Sequence, residues 1–338
     1  MSESALTSSI RIKKTSSIVM SYKIYSSQDF PAYLPKLNSL FDDLFSGGKG
    51  FRSKLIGFVS EPLKVPHSTQ NLLAQTIEFI HNASLLHDDL VDRSNLRRGK
   101  KTAWLKYTPE YAVLAGDYLL ARVMVNLSSF GNIKLVQYTS EMISDLLEGE
   151  WLQDSIIGDY QVTLDQLDRI HNLKTASLFK WCLRAPFISL EKYGQDLHFT
   201  LNEMGSILGQ LFQRSDDLLD YDIRNAEGKA ILGDLKSGYL NSFGSFVSVG
   251  FSKVKLDQLT KSNSMEDLYL CFSGDAESGK KLFLQKVEEF DKLNVKLIDL
   301  YAHHLESLEK HLTPDEKKLM ANLRPLTEIL YWRRKPSN

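Results

Sequence analysis

The chain has 338 residues, 43% of them hydrophobic and 25% charged, with a formal net charge of −1. That length can bury a large core, and the near-neutral balance lacks the basic excess expected of a nucleic-acid binder. The cysteines, Cys182 and Cys271, form no CxxC and no zinc-ligand spacing, which argues against a disulfide framework and a zinc site and fits a reducing compartment.

Residues 1–30 are rich in Ser and carry Arg11, Lys13, Lys14 and Lys23, with no acid between Glu3 and Asp29. They read either as an organellar transit-like segment or as a disordered polar terminus, since a secretory signal would need a clean apolar stretch. No run reaches the roughly 18 apolar residues of a membrane span. From residue 31 to 338 no change of composition marks a boundary, so one domain is expected. Apolar residues recur at helical spacing over 71–92, 112–130, 134–154, 164–191, 197–222 and 279–312. Gly and Pro place the connecting loops at 46–50, 98–101, 131–132, 225–238 and 273–279. Alternating strand patterns are almost absent and no repeat is evident. The expected fold is an all-α, single-domain helical bundle.

Two stretches raise a chemical question: "LLHDDLVD" at 85–92 and "RSDDLLDYD" at 214–222. On a helix, residues four apart share a face about 6 Å apart along the axis. Asp88 and Asp92 therefore present two carboxylates together, with Asp89 turned about 100° aside. Asp216 and Asp220 do the same beside Asp217. Like charges at this spacing destabilise a bare helix. A solvated helix end next to Arg93 or Arg214 would account for one copy. Two copies, each behind an apolar helical run, point instead to carboxylates facing each other in a bundle around a hard cation. An oxygen-only donor set suits Mg²⁺, which commonly bridges protein carboxylates to ligand phosphates, so the ligand expected is a diphosphate. Cations lie nearby in sequence: Arg97 and Arg98 after the first element, and Lys49 and Arg52 on a Gly-rich turn before a helix. Lys174 lies mid-helix and Lys229 on the loop after the second element. Each alone is more often a surface charge, and the Gly-rich turn does not match a P-loop.

The ordered stretches "GGKGFR", "EFIHNASLLHDDLVD…RRGKKT", "GDYLLAR", "LKTASLF" and "GQLFQRSDDLLDYD" resemble the signature regions of the trans-isoprenyl diphosphate synthases. The match runs in family order from about residue 46 to 238. "HNASLLHDD" is most similar to the long-chain enzymes that make hexaprenyl to decaprenyl diphosphates for ubiquinone side chains. The resemblance implies the isoprenoid-synthase bundle around a central apolar cavity and a prenyltransferase that adds isopentenyl diphosphate to an allylic diphosphate. It implies that Asp88, Asp92, Asp216 and Asp220 hold several Mg²⁺ ions, with Asp89 and Asp217 supporting. Arg97, Lys174, Thr175, Gln213 and Lys229 would contact the allylic diphosphate, with Lys174 also counted among the catalytic groups. Lys49, Arg52, His81 and Arg98 would bind isopentenyl diphosphate; a core histidine is the other reading of His81. It further implies a homodimer or a heterodimer with a related subunit, peripheral association with a membrane, and a mitochondrial location, with the cytoplasm as the alternative. The chain departs from the family where Tyr239 replaces the usual Lys and Asn241 the usual Thr.

In such a reaction an allylic C–O bond ionises, the isopentenyl alkene attacks the cation, and a proton is lost. Product length follows the depth of the apolar tunnel below the acids, which Ala83 and Ser84, then Phe79 and Ile80, would line. A small residue at Ala83 leaves that tunnel open and predicts long products. Alternatives are a short-chain farnesyl- or geranylgeranyl-type synthase, or a non-catalytic subunit of a heteromeric enzyme. A terpene cyclase usually carries a different second metal motif, and a head-to-head condensing enzyme does not account for "GGKGFR" and "RRG".

Overall fold

A computed structural model of the chain describes residues 29–45, 50–97, 99–222 and 231–333. Lys49, Arg98, Lys229 and positions 1–28 of the transit-like segment lie outside the described residues. The first half contains α1 Pro35–Phe45, α2 Phe51–Ser60, α3 His67–Val91, strands β1 Leu96–Arg97 and β2 Lys100–Lys101, α4 Ala103–Lys106, α5 Pro109–Phe130 and α6 Ile133–Ser155. There follow α7 Leu164–Lys174, α8 Ala176–Ser189, α9 Gln195–Leu219, α10 Gly233–Lys236, α11 Ser242–Ser248 and α12 Lys253–Thr260. The chain continues through α13 Met265–Phe272, α14 Ala276–Glu309, α15 Lys318–Leu323 and α16 Leu326–Trp332. The protein is all-α, a helical bundle of the isoprenoid-synthase type.

Three local readings change. Within the stretch expected as loop over 98–101, Lys100 and Lys101 belong to a hairpin in which Leu96 faces Lys101 and Arg97 faces Lys100. Gly99 at φ 76 gives its turn the left-handed backbone that tight hairpins require. The helix expected over 164–191 is broken at Thr175, and the loop expected over 225–238 contains α10. Elsewhere the ends follow local chemistry. The Thr108 hydroxyl caps α5 by accepting from the Tyr111 amide at 3.2 Å, Pro109 is the first helical residue, and Gly131 at φ 84 stops the helix. Thr163 and Gln166 form a capping box on α7.

The chain divides into two compact units. The first takes residues 1–143, 180–202 and 311–323. In it α3 packs on α2 and α5 through Leu55, Ile56, Val59, Leu73, Ile77, Leu119, Val123 and Leu127, all buried at helical spacing. Each such side chain contributes about 1.5–3 kcal/mol. Gly116 of α5 lets the two helices approach: a Cβ there would lie 2.2 Å from His87 Nε2. Asp29, buried, ties the start of the unit down by accepting hydrogen bonds from Gln75 (2.8 Å), Arg122 (3.0 Å) and Asn126 (3.2 Å).

The second unit takes residues 144–179, 203–310 and 324–338. Its core is aromatic. Phe243 meets Tyr221, Phe283 and Phe290 with ring centroids 5.1–5.5 Å apart, which fixes the chain just after the second acidic element. A second close approach occurs at Gly209 of α9, where a Cβ would sit 2.3 Å from Ala176 Cα. A third places Gly149 of α6 against the Lys174 backbone, with a Cβ 2.8 Å from its nitrogen. These two glycines seat Lys174 and Thr175 between α6 and α9. Among the described residues no helix is long and apolar enough to cross a membrane.

Candidate active site

The first acidic element closes α3. Asp88 lies in its last turn and Asp92 just past the end, where its amide still bonds the Asp88 carbonyl at 2.8 Å. Asp88 is half-buried and Asp92 exposed, whereas Asp89 is only 4% exposed. Burial of a carboxylate needs a partner, and the hairpin supplies one. Arg97 donates to both Asp89 oxygens from Nε at 2.7 and 2.8 Å, and its Nη2 lies 2.6 Å from Oδ1. The arginine expected on the allylic diphosphate thus braces the central aspartate of the trio.

One to two turns earlier on α3, His81 Nε2 lies 3.0 Å from Arg52 Nη1 of α2, so the two residues assigned to isopentenyl diphosphate stand together. Gly50, at φ 54, caps the start of α2 two residues before Arg52. Ala83 and Ile80 are buried, and the half-buried Ser84 turns its hydroxyl to the His81 carbonyl at 2.9 Å. Phe79 is packed edge-on to Phe30, with centroids 5.9 Å apart.

The second element lies in the other unit and is built differently. Asp216 is on the last turns of α9 and forms an ion pair with Arg333 at 2.8 Å. Asp217, 2% exposed, accepts from Gln213 Nε2 and the Ser242 amide, each at 2.9 Å, and from the Ser242 hydroxyl. The Thr175 hydroxyl in turn donates to Gln213 Oε1 at 3.1 Å. Two expected diphosphate contacts therefore form a chain of hydrogen bonds that ends on the central aspartate. Asp220 departs from the simple helical picture. α9 stops at Leu219, and the Asp220 carboxylate accepts from the Gly233 and Asp234 amides at 2.7 and 3.3 Å, at the start of α10. Lys174 is ion-paired with Glu150 of α6.

Burial dominates the electrostatics of this second element. It pushes the Asp217 carboxyl up to about 6 despite the hydrogen bonds from Ser242 and Gln213. Burial, with the neighbouring Asp234 charge, pushes Asp220 up to about 7. Tyr239, at the position of a family lysine, has its phenol raised well above the usual range by burial and by Asp217, Asp234 and Glu150. Asn241 donates to Asp234 at 2.8 Å and to the Asp217 carbonyl at 3.3 Å, while accepting from Tyr221 and Gly244. Asn241 acts as a framework residue in this loop. Asp234, Glu150, Ser242 and Arg333 were not foreseen as site residues. Asp234 lies in "GDLKSG" and Glu150 in the acidic run "EGEWLQD", which offered some signal; Arg333 offered only the basic cluster "WRRK".

Among the described residues no group of three or more His, Cys, Asp or Glu side chains is gathered to hold a metal ion. The raised Asp220, crowded by the Asp234 charge, is a carboxylate whose ionised form a divalent cation would stabilise.

Residues 34–248 match the polyprenyl synthetase family model. The chain is 35% identical over 193 residues to octaprenyl diphosphate synthase of Escherichia coli, covering 57% of this chain and 59% of that protein. It is 34% identical over 251 residues to decaprenyl-diphosphate synthase of Dictyostelium discoideum, covering 73% of this chain and 53% of that one. In these matches it spans between half and three-fifths of its curated relatives' lengths. Its structure resembles that of a decaprenyl diphosphate synthase from Rhodobacter capsulatus, with a TM-score of 0.77, 26% identity, and coverage of 98% and 99% of the two chains.

Proposed function

Because the chain belongs to the polyprenyl synthetase family, we propose that it is a trans-polyprenyl diphosphate synthase that adds isopentenyl diphosphate repeatedly to an allylic diphosphate, giving a long-chain polyprenyl diphosphate for the ubiquinone side chain. The observation that carries the reading is the shared design of the two aspartate trios. In each, the central residue is buried and braced, Asp89 by Arg97 and Asp217 by Ser242 and Gln213. The bracing fixes the backbone from which Asp88, Asp92, Asp216 and Asp220 would hold Mg²⁺. When bound, the metal would supply electrostatic stabilisation to the charge that develops on the departing diphosphate.

The remaining roles fall to the chain itself. Arg52 and His81, already 3.0 Å apart, would orient isopentenyl diphosphate. Lys174, held by Glu150, would bind the allylic diphosphate together with Thr175, Gln213 and Lys229. Lys49 and Arg98 would complete the isopentenyl diphosphate site. The allylic carbon loses its diphosphate, the isopentenyl double bond forms the new C–C bond, and a proton leaves, with the released diphosphate as base.

A second copy of the chain, or a related subunit, is the proposed partner. Leu114, Ala121 and Val125 lie seven and four residues apart on one face of α5, with Leu114 65% and Val125 51% exposed. Such a stripe supports an oligomer contact. The transit-like composition of residues 1–30 supports import into mitochondria.

The test is incorporation of radiolabelled isopentenyl diphosphate by the purified chain with and without Mg²⁺, followed by chromatography of the extracted product. Mg²⁺-dependent long-chain product is expected from the chain alone. Incorporation only after a related subunit is added would show a non-catalytic partner, and a product of three or four isoprene units would show a short-chain enzyme.

A further inference from the structure

Arg333 follows the last helix, α16, and its Nη2 lies 2.8 Å from Asp216 Oδ1. The same nitrogen donates to the Phe212 carbonyl at 3.4 Å, and the guanidinium lies 4.1 Å from the Phe212 ring centroid. Phe212 and Asp216 are four residues apart, so one guanidinium covers a single turn of α9. This seat is not a chance of a loose terminus. Tyr331, fully buried two residues earlier, donates to Asp291 at 2.6 Å and accepts from Asn294 at 2.9 Å. Asn294 in turn accepts from Arg214 at 2.7 Å, and Arg214 is bound to both oxygens of Asp168. A buried polar relay thus docks α16 onto the helix that carries the second acidic element.

We propose that Arg333 is an internal counter-cation of Asp216 that must be displaced for a divalent ion to bind there. A guanidinium at hydrogen-bond distance from Oδ1 occupies the approach a metal ion would take, and two cations at one oxygen repel each other. The contact is suited to exchange. Arg333 and Asp216 side chains are 25% and 27% exposed, so opening the pair to water forfeits little interaction energy. The Tyr331 anchor keeps the arginine beside the site for its return. Metal-free protein has the pair closed, and metal loading opens it. The inference depends on Asp216 being a metal ligand, as the proposed synthase requires.

Isothermal titration of the full chain with Mg²⁺ alone, and again with Mn²⁺, tests it. Arg333→Gln is expected to tighten metal binding by roughly 1.5-fold to fivefold, the range of a partly exposed ion pair. Arg333→Lys keeps the charge and is expected to stay near wild type, which separates counter-cation from packing. Asp216→Asn should weaken binding, and adding Arg333→Gln to it should restore nothing. If Arg333→Gln binds metal no more tightly than wild type while Asp216→Asn binds less, the counter-cation is overturned and the synthase reading stands. If Asp216→Asn binds as wild type does, the metal-ligand reading of Asp216 fails and the counter-cation with it. Should Arg333→Gln lower the melting temperature while Arg333→Lys binds metal as tightly as Arg333→Gln, the arginine is a packing residue and the proposal is wrong.

Discussion

Arg97 holds Asp89 through both carboxylate oxygens, at 2.7 and 2.8 Å from a single nitrogen, across the hairpin that follows α3. Removing the arginine leaves a buried carboxylate unpaired. Arg97→Met is expected to destabilise the protein by about 1–3 kcal/mol, and Asp89→Asn by less. A double-mutant cycle measured by urea denaturation should give a coupling of about 1–3 kcal/mol. Additive single effects would show that the pair does not brace the trio.

The second trio predicts an opposition between stability and activity. Asp220 has a raised folded pKa of about 7, so its contribution is fully favourable below its ordinary value near 4 and is lost as the pH rises through 7. Metal-free Asp220→Asn should therefore lose the part of the pH dependence that Asp220 contributes between those values, leaving the parts due to Asp217 and His171. At pH 8 it should be more stable than wild type by about 1–3 kcal/mol. The same variant should lose most of its prenyl transfer. Denaturation at pH 5 and 8, with an incorporation assay alongside, checks both halves.

His171 predicts the opposite slope. It is 3% exposed, and burial pushes its imidazole down to about 4. A lowered histidine is neutral in the fold, so stability present above pH 6.5 is lost as the pH falls toward 4. Between pH 7.5 and 5 wild type should lose on the order of 2 kcal/mol relative to His171→Leu. Parallel pH profiles for the two proteins would mean that the ring is hydrated.

Ala83 is fully buried on α3, one turn before Asp88. Ala83→Phe is expected to shorten the polyprenyl product, at a stability cost of about 1–3 kcal/mol from overpacking. Ala83→Leu should fall between. Chromatography of products from both variants decides, and an unchanged ladder refutes the tunnel argument.

The helices and both acid trios were legible because apolar spacing and repeated Asp-Asp-x-x-Asp are local patterns. Arg52 and His81 could be paired from family motifs, and they stand together. What escaped detection was long-range or short-range in the wrong way. Arg333 meets Asp216 across 117 positions, which no spacing rule can connect. The hairpin has strands of two residues each, too short for an alternation to register. A helical wheel turns Asp89 aside from its neighbours, yet only the folded hairpin reveals that the aside position is a buried ion pair. Helical spacing makes Asp220 one more residue of a helix, whereas α9 ends at Leu219 and the Asp220 carboxylate serves the amides that open α10.

The carboxylate of Asp29 has a practical corollary for anyone trimming the chain for expression or limited proteolysis. It gathers Gln75, Arg122 and Asn126 from α3 and α5, and the adjoining Phe30 ring lies against Phe79. A start codon placed after Phe30 would strand the half-buried Arg122 guanidinium and bare an aromatic face, so shortened versions should begin no later than Asp29.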